Sequence, residues 1–293
     1  MNKLFLICFL CALYLVTPNA SAKEKITWAK WELTPEYIGH GEYKDQGYLD
    51  KFLAYVQSQL TEYEHENQFQ TASRLERSWS NGNTCTVHLW LGFWSDKIVY
   101  SKPYGFTPPF GIVTKVDSPL ANKLNNKHHT SLKDLLKNTS FKLGTLPLTP
   151  SSSNNSRYPP LHSTLEPHLN TGKVIEFRNN RNELSVKLLD YGRADYIVRL
   201  RIAHLSELKI GKLNNEYKYY SLAEDTNYKL VAAACSNSVL GKAVVKEINT
   251  LINENLYKHY IEYRQEWDVE NTVFEEVYND YFLNHKANSN ITE

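Results

Sequence analysis

A strand–helix–strand–helix–strand order occurs twice in this chain, and a stiff connector separates the two occurrences. The connector, residues 92–113, reads "GFWSDKIVYSKPYGFTPPFGIV". Proline fixes φ and removes a backbone donor, so Pro103, Pro108 and Pro109 cannot all sit inside one well-paired strand. Before it, "KITWAKW" (25–31) and "TCTVHLWL" (84–91) are β-rich, and "NQFQTAS" reads as a strand between them. "DQGYLDKFLAYVQSQL" places Leu49, Phe52, Leu53, Val56 and Leu60 at helical spacing, and "SRLERSWSNG" reads as a short helix closed by Gly82. After it, "SLKDLLKN", a segment near 161–169 and "RNELSVKLLDYG" read as helices. "FKLGTL", "KVIEFR" and "ADYIVRL" read as the strands between them. A last strand, "YKLVAAACS", and an amphipathic helix, "GKAVVKEINTLINENL", follow. Alternation of this kind predicts open, mainly parallel sheets flanked by helices. Two such units joined by an extended aromatic connector predict two lobes with a cleft between them.

The first residues fit an exported chain. Lys3 precedes an apolar run from Leu4 to Val16, and Ala20-Ser21-Ala22 follows, the pattern of a secretory leader cut after Ala22. The run is short for a membrane span, although an uncut anchor remains the alternative. Removing 1–22 leaves about 270 residues, enough for one large domain or two lobes. Charge is balanced, 33 Lys and Arg against 32 Asp and Glu, so no basic excess recruits nucleic acid or an anionic membrane. The 20 Tyr and 6 Trp favour a cleft lined by rings, or simply a Tyr-rich core. Of 4 Cys, Cys8 and Cys11 lie in the leader. Cys85 and Cys235 remain, either as a disulfide in an oxidising compartment or as two buried thiols.

Six stretches in order carry a resemblance. They are "ITWAKWELTPEY" with "GYLD", "NGNTC", "YSKPYGFTPPFGIV", "SLKDLLKNTSFKLGTL", "LLDYGRADYIV" and "AACSNSVLGKAVVKEINTLI". Together the chain resembles the family 3 bacterial extracellular solute-binding proteins, which have the type 2 periplasmic binding protein fold. The resemblance implies a periplasmic protein, with the S-x-P-Y stretch Ser101–Tyr104 leading the first crossing between lobes. It implies residues 23–104 and 226–285 in lobe 1, 105–225 in lobe 2, and 286–293 as a tail. It also sets the strand after the second crossing beside the third strand of lobe 1, which brings Cys235 to Cys85.

Departures from the family pattern bear on the ligand. Members that bind amino acids carry an arginine six residues before the aromatic that precedes the S-x-P-Y serine, where it clamps a carboxylate. Here that position is Trp94. They also carry an acid early in the lobe 2 strand after G-R-x-D, where this chain reads "DYIVRLR", with Arg199 and Arg201 flanking Leu200. An ordinary α-amino acid is therefore not expected. Trp31, Tyr37 and Trp94 offer flat faces for rings, sugars or cations, unless they are core. Arg157 and Tyr158 open the first lobe 2 helix, where an anion is favoured, and Arg199 either adds to that edge or is solvated. Glu32 is the candidate acid of lobe 1.

The sequence shows no G-x-S-x-G, Walker loop, H-E-x-x-H or zinc-like Cys spacing. His128-His129 reads as solvated. No metal or cofactor is expected. The expected function is a monomeric binding protein that captures a small molecule for a membrane transporter or a sensor. The alternatives are a cleft enzyme of the same fold, such as a dehydratase-like lyase using Glu32 and His40, and a receiver that binds no ligand.

Overall fold

In the computed structural model, residues 22–284 are described except 95, 125–126, 139, 149–155, 179–183, 212, 214 and 269–271. The leader through Ser21 and the tail 286–293 lie outside the described residues. The chain begins with β1 (Lys25–Lys30), α1 (Tyr48–Gln59), β2 (Glu64–Phe69), α2 (Ala72–Ser78), β3 (Thr84–Trp90), β4 (Ile98–Tyr100) and β5 (Gly105–Thr107). It continues with β6 (Phe110–Lys115), α3 (Pro119–Leu124), β7 (His129–Thr130), α4 (Leu132–Asn138), β8 (Leu143–Thr145), α5 (His162–Leu165) and β9 (Val174–Glu176). Then come α6 (Lys187–Asp190), β10 (Tyr196–Leu200), α7 (Arg201–Ile210) and β11 (Tyr217–Leu222). It closes with β12 (Lys229–Ser236), α8 (Val239–Leu251), α9 (Glu254–Gln265) and α10 (Thr272–Asn279).

Two 6-stranded sheets result. The first has the order β2-β1-β3-β12-β4, with β5 also on β12, and the second the order β7-β11-β6-β10-β8-β9. Both are mixed. Strands within a βαβ unit pair in parallel, while the strands that arrive across the molecule, β12 and β6, pair with their neighbours antiparallel. Gly105–Thr107 still pairs with β12, and the second sheet starts at Phe110, so Pro108 and Pro109 occupy the step between sheets.

Each sheet has its own core. Leu49, Phe52, Leu53 and Val56 of α1 and Val244 and Ile248 of α8 cover the first sheet, joined by Tyr257, Tyr260 and Tyr278 from the closing helices. Ile112, Val113, Leu135, Leu143, Leu161, Tyr196 and Ile197 build the second. The S-x-P-Y stretch fastens to β12: Ser101 N donates to Ala233 O at 2.9 Å, and Ala233 N to Ser101 Oγ at 3.1 Å. Antiparallel pairing of β12 with β3 sets Cys235 opposite Cys85, and the two form a disulfide.

Several expected elements are displaced. The second strand is Glu64–Phe69 rather than 67–73, because an edge strand paired only to β1 carries polar side chains on both faces and lacks apolar alternation. Of the expected helix 181–192, residues 181–183 lie outside the described residues, and the described part is helical only over Lys187–Asp190, with Gly192 following at φ 62°. The closing amphipathic helix stops at Leu251, and Asn253 caps a separate α9 by accepting from Asn255 N and Leu256 N.

A candidate ligand cavity between the two sheets

The strands of both sheets end at a shared cavity of about 200 Å³. Its first-sheet wall grows out of the turn between β3 and β4. Tyr100 Oη lies 2.9 Å from Trp90 O and 2.5 Å from Phe93 O, which holds that turn against the sheet. Trp94, in the turn, has φ 48°, a left-handed backbone that a bulky residue adopts only when its surroundings impose it. Its ring lies 6.2 Å from Trp79 and 5.8 Å from Phe93, centroid to centroid, and lines the cavity. Trp90, Phe93 and Trp31 complete an aromatic wall.

The floor is polar and buried. Trp31 Nε1 donates to Glu36 Oε2 at 2.8 Å, and the Tyr48 hydroxyl lies 3.5 Å from Glu36 Oε1. Burial pushes the Glu36 carboxyl up to about 7, against the pull of Trp31, Arg264 and Tyr48. Thr107 Oγ1 accepts from Trp90 Nε1 at 2.7 Å and lies 3.3 Å from His88 Nε2. Burial, helped by Arg264, lowers His88 to about 3, so its imidazole is neutral at physiological pH.

The second-sheet wall is Phe110, Leu146, Tyr158, Leu184 and Val198, with Arg157. Tyr158 is buried, its ring 5.2 Å from Phe110, and its hydroxyl accepts from Leu146 N at 3.2 Å. Arg157 is half-buried and its Nε donates to Pro147 O at 3.3 Å. Desolvation lowers its pKa, partly offset by Tyr158.

Of the residues singled out in the sequence, Trp31, Trp94, Arg157, Tyr158 and Arg199 line this cavity. Arg199 is not a solvated cation. It is 4% exposed, ion-paired to Glu207, and donates from Nη2 to Ala203 O at 3.0 Å. Tyr37 and Glu32 lie elsewhere. Tyr37 is fully buried in the first core, edge-on to Trp31 at 5.3 Å, because its bridge to Leu33 folds the loop inward. Glu32 turns outward instead, accepting from Gly39 N at 3.3 Å and lying 2.9 Å from the exposed His40 Nδ1. That pair is outside the cavity, so it cannot act as an acid–base couple there. Arg157 and Tyr158 precede a short 3₁₀ turn, Pro159–Leu161, rather than a long helix.

Sequence reading missed Glu36, His88 and Thr107. Glu36 sits in "TPEYIG", which reads as an ordinary acidic loop; only the half-buried Trp31 and the buried Tyr48 around it reveal its role. Among the described residues no three His, Cys, Asp or Glu side chains gather as a metal site, and no helix is long and apolar enough to cross a membrane.

No protein-family model and no curated protein matches the chain. Solved structures are similar. One is the probable amino-acid ABC transporter extracellular-binding protein of Bacillus subtilis, 16% identical with a TM-score of 0.56, covering 83% of this chain and 98% of that one. Another is the BvgS periplasmic VFT2 domain of Bordetella pertussis, 14% identical with a TM-score of 0.55, covering 83% and 92%. A third is a histidine kinase sensor domain with similarity to periplasmic binding proteins, 13% identical with a TM-score of 0.59, covering 84% and 96%. The likeness establishes a fold. The chain has the two-lobed architecture of the type 2 periplasmic binding proteins.

Proposed function

We propose that the chain is an extracytoplasmic solute-binding protein whose lobes close over a small, largely apolar molecule, for a membrane transporter or a sensor. The observation that carries this reading is the cavity itself, walled by rings and aliphatic side chains from both sheets. A ligand that touches both walls stabilises the closed arrangement more than the open one, and closure follows from that difference. Lobe 1 is taken as 23 to about 107 with the chain from about 226 onward, and lobe 2 as the sheet between. An ordinary α-amino acid fits poorly. Trp94 replaces the family's carboxylate clamp, and Arg199 is already occupied by Glu207.

Export is part of the proposal, supported by the apolar leader pattern and the disulfide. Intact mass of the exported chain is expected to begin at Lys23; retention of residues 1–22 contradicts this.

A thermal-shift screen against a broad metabolite library tests the binding reading. A small molecule with an apolar body should raise the melting temperature and be recovered unchanged. Consumption of that compound favours a catalyst, and a screen in which nothing shifts the transition favours a receiver without a ligand.

A further inference from the structure

Glu36 is out of balance with its surroundings. It is 5% exposed and lines the cavity, yet no described cation forms an ion pair with it. Other buried acids among the described residues are matched: Asp50 to Lys30 and to two backbone N–H groups, Asp225 to Lys229 and Phe110 N, Glu76 to Lys97 and Asp268 to Arg264. Ionised, Glu36 offers roughly four lone-pair positions, and the structure fills one well, from Trp31, and one at the limit, from Tyr48. Buried charges are ordinarily paired. Trp31, Trp90, Phe93 and Trp94 line the same cavity, and the faces of such rings attract a cation through the ring quadrupole.

We infer that the solute carries a cationic nitrogen that pairs with Glu36 on the lobe 1 floor while its apolar body lies against the tryptophan wall. The inference rests on the solute-binding reading and gives it a substrate class, an amphipathic amine. It also reverses the polarity expected of an amino-acid site: the acid stands on the first lobe, and Arg157 stands on the second.

Three probes of matched shape test it by titration calorimetry: 2-phenylethylamine, 2-phenylethanol and phenylacetate. At pH 8 the amine should bind at least about tenfold more tightly than the alcohol. Its advantage should shrink at pH 6, where Glu36 takes up a proton. The groups facing Glu36 do not share that change. Burial holds Tyr37, Tyr48 and Tyr260 neutral, His88 is neutral, Asp50 is paired with Lys30 behind Tyr37, and Arg264 is a fixed cation. The E36Q variant keeps one acceptor oxygen for Trp31 Nε1 and turns its NH2 toward the Tyr48 hydroxyl, which can accept from it. It should lose both the preference for the amine over the alcohol and the pH dependence of that preference. Wild type that binds the alcohol or phenylacetate as tightly as the amine, or E36Q that retains the preference, overturns the inference and leaves the solute-binding reading standing. If none of the three binds, the inference falls, and the thermal-shift screen decides the solute-binding reading.

Discussion

Glu36 shows how one side chain's burial becomes a property of the whole protein. Burial raises its pKa from 4.5 to about 7, only partly opposed by Trp31, Arg264 and Tyr48. A carboxyl raised in the folded state binds its proton more tightly there than in the unfolded chain. The resulting stability is fully present below pH 4.5 and is lost as pH rises through 7. Unliganded wild type should therefore lose on the order of 3 kcal/mol from this group between pH 4.5 and 8, and E36Q should not. Urea midpoints of both proteins at pH 5 and pH 8 measure the difference; parallel behaviour contradicts the assignment. The residue scale is also where the sequence was least legible. Trp31, Trp94, Arg157 and Tyr158 were recognisable from their places at strand ends and loop starts. Tyr37 was not separable from them, because the turn that buries it depends on the Leu33 bridge and on Trp31. Glu36 was hidden for the converse reason: its buried neighbours Tyr48 and Arg264 come from α1 and α9, remote in sequence.

Elements at the crossings tie the two sheets together. Asp225, just before β12, accepts from Phe110 N at 2.8 Å, at the first residue of β6, and from Lys229 Nζ at 3.1 Å to each oxygen. The Lys229 ammonium also lies 5.3 Å from the Phe110 ring and 5.8 Å from Trp90, so one ion pair gathers both crossings and a cavity wall. Removing the cation leaves Asp225 charged and buried. Lys229→Met should destabilise by about 3 kcal/mol in chemical denaturation, whereas the double replacement with Asp225→Asn should recover part of that loss. No loss in Lys229→Met contradicts the crossing as a buried, paired link. At this scale the long patterned elements were readable: β1, α1, β3, α4 and β12 carry either continuous apolar runs or helical spacing. The short strands β4 and β5, beside prolines, were not, since three residues hold no period. The helix α7 was also missed. It begins directly after β10 with a single extended residue, Leu200, as its cap; the strand reading of 194–200 stopped there and placed no helix after it.

For the whole molecule, β12 matters most, since it returns the chain to the first sheet and is locked there by Cys85–Cys235 across 150 residues of sequence. The resemblance placed those cysteines together; composition alone left thiols open. A Cys85→Ala, Cys235→Ala double variant should lose on the order of 2–5 kcal/mol of stability, with the two-lobed fold retained at low temperature. Circular dichroism melts check this, and an unchanged melt contradicts it. The second sheet meets the first through α7 as well: Lys209 Nζ donates to Glu266 O at 2.7 Å and lies 4.6 Å from the Trp267 ring. Two sheets linked by two crossings and this contact can enclose a molecule only if the cavity between them is the binding site. Titration calorimetry of the compound that most raises the melting temperature, on wild type and Trp94→Ala, tests that claim most directly. Binding to wild type at one molecule per chain, weakened about 100-fold in a Trp94→Ala protein that still melts cooperatively, is the expected result. Equal affinity in the two folded proteins would show that the solute sits somewhere other than between the lobes.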